Sequence, residues 1–213
     1  MRRHQLDPAG GCSYPVARFT RKPLLSRSES SALPLLPDRE CGGCVECCRV
    51  IPLELPELAK PTGELCAYCV DGAGCGVHAI RPQTCRTWFC LWRVIELSDD
   101  WRPDRSGIVV RPDGLETGEI TLYVVRRTDF LTSMEVFGVV AGWIAQDVEV
   151  ALSVPGPVGT FPARAVVTGW LRPAVEAGDL DDFNRRVVAS LDQLERHDWQ
   201  ADGITARYAV HIA

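Results

Sequence analysis

The chain has 213 residues, 46% hydrophobic and 24% charged, which suits one globular domain or two small ones and excludes collagen-like, coiled-coil and wholly disordered chains. A net charge of -5 argues against a nucleic-acid partner, because phosphate binding needs a basic face. The anomaly is ten cysteines, nine of them between Cys41 and Cys90, too crowded for a dispersed disulfide framework.

Residues 1–37 carry six basic and two acidic side chains and show no helical or strand periodicity. They are expected to form a disordered basic tail, and Cys12 within it is left outside any site. Arg2 and Arg3 are followed by polar residues rather than by the apolar run of a secretory signal. The apolar stretch from Val136 to Ala145 is too short to cross a bilayer. The expected location is therefore cytoplasmic, with no membrane partner, where thiols stay reduced and available to metals.

From residue 38 to 105 the composition is dominated by Cys, Gly and Pro, and metal bonds are the expected cross-links. Residues 106–213 read as an α+β region packing on it. Gly107 to Val110 and Ile120 to Arg127 are predicted strands, with Pro112, Asp113 and Gly114 as the turn. Thr132 and Glu135 have capping-box spacing ahead of Val136, Phe137, Val140 and Ile144, which predicts a helix to about Gln146. Val148, Val150, Leu152 and Val154 alternate and, across a turn at Pro155 to Gly159, face a second run at Ala165 to Val167 as a hairpin. Leu180, Phe183, Val187, Leu191 and Leu194 recur at helical spacing behind Asp179, Asp181 and Asp182, which suit the positive end of a helix dipole. Ile204 to Ile212 reads as a closing strand. The fold class is α+β: a small metal-stapled cysteine-rich region followed by a mixed strand and helix region.

The segment Cys41-Gly42-Gly43-Cys44-Val45-Glu46-Cys47-Cys48 places four thiols within eight residues. Cysteines three apart on a turn or short helix point to one side and reach a common metal or cluster. The adjacent side chains of Cys47 and Cys48 are expected to diverge. Cys66 and Cys69 repeat the spacing, and Cys44, Cys47, Cys66 and Cys69 together have zinc-ribbon spacing. Cys41, Cys48, Cys75, Cys85 and Cys90 remain over, so two metal centres, or one polynuclear cluster with an auxiliary zinc, account better for the number of thiols. Pro82 fits the first turn of a helix that carries Cys85. Arg81 and Arg86 are then candidate cofactor-binding donors, offsetting the charge of about -2 on a four-thiolate site by bonding sulfur or nearby carbonyls. His78 is a further candidate ligand, and Trp88, Phe89 and Trp92 are candidate covers. No G-x-S-x-G, P-loop, G-x-G-x-x-G or H-E-x-x-H motif is present.

The Cys41-x2-Cys44-x2-Cys47-Cys48 cluster, then Cys66, Gly74-Cys75 and the Arg81-Pro82-x2-Cys85-Arg86-x3-Cys90 ending, resemble the YkgJ-type cysteine-cluster family, described as a zinc- or iron-chelating domain. The resemblance covers about Cys41 to Trp92. It implies a ligand set of Cys41, Cys44, Cys47, Cys48, Cys66, Cys75, Cys85 and Cys90, with Cys69 outside the shared pattern. The expected function is metal binding, through an iron-sulfur cluster or Zn2+, in a redox or metal-handling role. The alternatives are a structural zinc module with a protein partner, and an accessory domain of a protein-modifying enzyme.

Overall fold

Alternating apolar residues build the central element. In the computed structural model, which describes residues 35–197 apart from 57, 115–117, 158, 159 and 161, four strands form one mixed sheet: β5 (Ile108–Gly114), β6 (Glu119–Val124), β7 (Glu149–Val154) and β8 (Ala163–Val166). The order is β5-β6-β7-β8, with β6 and β7 parallel and the two outer pairs antiparallel. Ile108, Val110, Leu122, Val124, Val150, Leu152, Ala163 and Ala165 fall on one face by this register, and all are buried.

A parallel pair needs a crossover, and here it consists of α4 (Arg127–Thr132) and α5 (Met134–Ala145). After β8 come α6 (Thr168–Ala177) and α7 (Leu180–Glu195). Helix α5 packs on β7 and α6, and α7 packs on α6, β7 and β8. Phe137 joins the layers, edge-on to Phe130 at 5.4 Å and to Phe183 at 5.7 Å between ring centroids. Asp179 caps α7 by accepting from Asp182 N–H. Phe183, Val187, Leu191 and Leu194 are buried as their spacing predicts, whereas Leu180, at the first helical position, is exposed.

Several local expectations need correction. Pro112 to Gly114 do not form the turn: β5 runs through them with a register shift between Pro112 and Gly114. Because β5 is an edge strand, the missing N–H of Pro112 costs no ladder bond. Strand β6 stops at Val124, and Arg127 opens α4. The cap of α5 is Ser133, which accepts from Val136 N–H; the Thr132 hydroxyl instead donates back to Thr128 O and Asp129 O at the end of α4. Leu36 N–H donates to Arg93 O, so residues 35–37 belong to the fold rather than to the tail. The remainder of that tail and the strand expected at Ile204 to Ile212 lie outside the described residues.

The cysteine-rich stretch contributes the short helices α1 (Glu46–Val50), α2 (Gln83–Thr87) and α3 (Pro103–Ser106), and two hairpins: β1 (Leu53–Leu55) with β2 (Leu58–Lys60), and β3 (Cys69–Val70) with β4 (Gly74–Cys75). Its second half is not separate from the sheet region. Cys90, Leu91, Trp92, Leu97 and Trp101 are buried in the same core as β5 to β8, while Val45, Leu58, Cys66 and Cys69 form a small core of their own. Among the described residues no helix is long and apolar enough to cross a membrane.

Helix α1 is fastened to the sheet region by an ion pair between Glu46, which is 8% exposed, and Arg126, which stands just before α4. Arg126→Ala would leave that buried carboxylate with only the looser pair to Arg49 at 4.0 Å. Because Arg126 itself is partly exposed, the expected loss is about 2 kcal/mol rather than the larger value for a fully buried pair. A urea midpoint no lower than that of Arg196→Ala, at an exposed surface arginine, would refute this.

Candidate metal centre

Two tight turns begin the site. Cys44 N–H donates to Cys41 O at 2.9 Å, and Cys69 N–H donates to Cys66 O at 2.8 Å, so each C-x2-C pair sits on an i to i+3 turn. The first turn leads into α1, which carries Cys47 and Cys48, and Cys66 N–H donates to Cys48 O at 3.1 Å. The second turn leads into β3, where Cys69 faces Cys75 of β4 across the hairpin. Cys85 lies in α2; Pro82 stands one residue before that helix, and its carbonyl accepts from Cys85 N–H and Arg86 N–H. Cys90 leads into the 3-10 turn Leu91–Arg93.

Cys41, Cys44, Cys47, Cys48, Cys66, Cys69, Cys75 and Cys85 all line one cavity of about 560 Å³. Cys90 is buried in the main core, against which Cys47 also packs. All nine described thiols are free. Among the described residues no three His, Cys, Asp or Glu side chains converge on a single ion position; the thiols line the walls of a chamber. A water molecule occupies about 30 Å³, so this volume takes more than a lone ion. The donors are soft thiols, the chemistry that selects zinc, iron-sulfur clusters or copper(I).

The hairpin and the first turn meet backbone to backbone, and glycine permits it. A Cβ on Gly43 would lie 2.3 Å from Gly72 O, and one on Gly74 would lie 2.2 Å from Gly42 O. The glycines of the motif are thus needed for close approach between segments, beyond the left-handed φ of +52° at Gly42.

Arg81 and Arg86 bond nearby carbonyls rather than sulfur, one of the two arrangements expected from the sequence. Arg81 donates to Cys85 O at 3.0 Å and His78 O at 3.1 Å, and Arg86 donates to Arg81 O at 2.8 Å and Ala79 O at 3.4 Å. Both serve backbone carbonyls beside the thiols. The guanidinium that donates to sulfur is that of Arg93, to Cys41 Sγ at 3.4 Å, and Arg102 donates to Cys41 O at 3.1 Å. Lys60, only 6% exposed, also lines the cavity and donates to Arg49 O and Pro61 O. No motif spacing marked Arg93, Arg102 or Lys60, and only the fold brings them in. His78 is exposed beside Arg81 at the cavity wall. Phe89 lies between Arg81 and Arg93, with their guanidinium carbons 5.9 and 5.6 Å from its ring centroid. Trp88 and Phe89 line the cavity; Trp92 is buried in the core instead, under Arg39.

Cys47 and Cys48 pack against different cores, as the divergence of adjacent positions predicts, yet their sulfurs stay within reach of each other. Their sulfurs lie 3.9 Å apart. The hydrogen bond from Cys47 lowers Cys48 to about 6, with Cys69, Lys60 and Arg81 adding to the effect, and the same bond raises Cys47. Burial pushes up Cys44, Cys69 and Cys85, and pushes Cys90 up to about 12. Protons therefore crowd onto thiols packed too closely to ionise together, and a bound cation would displace them. No family model, curated protein or solved structure matches the chain.

Gly74→Ala would force the hairpin away from the Cys41–Cys44 turn, costing on the order of 2 kcal/mol and opening the cavity. Native-state alkylation should then label more cysteines than in wild type. Gly72→Ala is the control, since its φ of +73° is strained but its Cβ meets nothing within 4 Å. Equal labelling of the two variants would remove the close approach as the cause.

Proposed function

We propose that the chain binds metal through the thiolates of this cavity, with an iron-sulfur cluster as the principal occupant and a redox or metal-handling role. The observation that carries the reading is that three separate stretches, 41–48, 66–75 and Cys85, bring eight thiols around one cavity. Small buried hydrophobes need no such convergence, and crowded thiols without a metal gain little from it. The C-x2-C-x2-C triplet from Cys41 to Cys47 matches three-corner binding of a cubane. Bound there, a cluster supplies one-electron transfer. Arg93, Arg102, Lys60 and Arg81 supply positive charge and donors that offset thiolate charge, and those contacts are the ones that tune a potential.

A structural zinc module is the second reading. The Cys66–Cys69 turn with Cys75 across the hairpin supports it, because zinc takes cysteine pairs from such knuckles.

Anaerobic purification with iron, zinc and acid-labile sulfide analysis tests both. Brown protein with iron and sulfide is expected, reduced in Cys44→Ser and unchanged in Cys12→Ser. Colourless protein with stoichiometric zinc and no sulfide would favour the structural module. Protein free of every metal would overturn the proposal.

A second outcome concerns stability. Stripping metal with a chelator should expose the stretch from Cys41 to Cys90 to protease, since thiolate–metal bonds would be its main cross-links. Undiminished resistance there after complete metal removal would contradict that.

A further inference from the structure

The thiols in and beside the cavity belong to two different packing environments. On one side Cys90 is buried in the main core, and Cys47 packs against the same core. Cys41 is joined to this side by Arg93, whose side chain donates to Cys41 Sγ at 3.4 Å and whose backbone N–H donates to Cys90 O at 3.0 Å. Cys44 follows through its turn with Cys41. On the other side Cys66 and Cys69 are buried in the small separate core, and Cys48 and Cys75 pack against that one. Consecutive helical positions differ by about 100°. Helix α1 uses that rotation to send Cys47 to one core and Cys48 to the other, with the two sulfurs in contact at 3.9 Å.

Resting on the metal-binding reading above, we propose that two thiolate metal centres lie on either side of the Cys47–Cys48 pair. One is formed by Cys41, Cys44 and Cys47 on the cavity wall with Cys90 from the core beside it; the other is formed by Cys48, Cys66, Cys69 and Cys75.

Each side also has its own cations. Arg93 and Arg102 bond to Cys41 on the first side, and Lys60 donates to the carbonyl of Arg49, the residue after Cys48, on the second. Four thiolates around a zinc ion or an oxidised cubane leave a charge of about -2, so two centres side by side need two sets of positive charge. The spacings differ in kind as well. The first set is a C-x2-C-x2-C run with one distant cysteine, which suits a cubane. The second is a knuckle pair with a cross-strand partner and Cys48, four thiols that suit a mononuclear tetrahedral ion.

Cobalt(II) titration of the reduced, metal-stripped full chain counts thiolate centres through thiolate-to-cobalt charge-transfer absorbance, whatever the native metal. Wild type should saturate at two equivalents. Cys41→Ser/Cys44→Ser, both changes in the first set, should keep one equivalent, and Cys41→Ser/Cys44→Ser/Cys66→Ser/Cys69→Ser, two changes in each set, should keep none. Saturation of wild type at any other number overturns the two-centre arrangement while leaving metal binding intact, and does so even if a variant fails to fold. Loss of both equivalents in Cys41→Ser/Cys44→Ser, in a variant whose far-UV circular dichroism matches wild type, overturns the division of ligands. Absence of any charge-transfer band in wild type defeats the metal-binding proposal itself.

Discussion

The buried carboxylate of Glu46 and its partner Arg126 hold in place the single helical segment on which the cysteine-rich half is organised. Helix α1 is only five residues long, too short to persist on intrinsic propensity. Its position comes from tertiary contacts: Glu46 to Arg126, Val50 buried, and packing against α3 and β5. With α1 fixed, the turn before it and the Cys66 backbone that bonds to Cys48 O are fixed as well. The ion pair thus transmits the rigidity of the sheet region to a segment with little core of its own.

That dependence explains why the cavity lies where it does. Strand β5 is the edge of the sheet, and edges of regular structure invite unwanted pairing unless covered. Here the cysteine-rich stretch packs beside it through α1, α3 and the 3-10 turn Leu91–Arg93, and Arg111 of β5 reaches the cavity wall. The same packing brings a cation toward the thiols.

What the sequence made legible follows the range of the interactions concerned. Helix α7 and the β7–β8 hairpin rest on local periodicity and capping, and both were readable to within a few residues. Helix α6 was not, because Gly169, Pro173 and Gly178 interrupt its pattern; its stability comes from packing against α5 and α7. The cysteines named themselves by type and spacing, and eight of them do line one cavity. Their electrostatic partners did not, since Arg93, Arg102 and Lys60 reach the thiols only through long-range folding. The reason for Gly43 and Gly74 was equally hidden, because a backbone contact between the first turn and the hairpin has no local signature.

The adjacency of Cys47 and Cys48 is the point where local geometry and long-range packing meet. Neighbouring positions on a helix point in different directions, so one metal ion in a tetrahedral site gains little from both. When the two sides of the helix face different cores, the same divergence becomes useful, because each thiol can serve the side it faces. Their sulfurs remain close enough to share a proton, so a change of charge on one side is felt on the other. A shared wall of this kind would couple two sites electrostatically without any movement of the backbone.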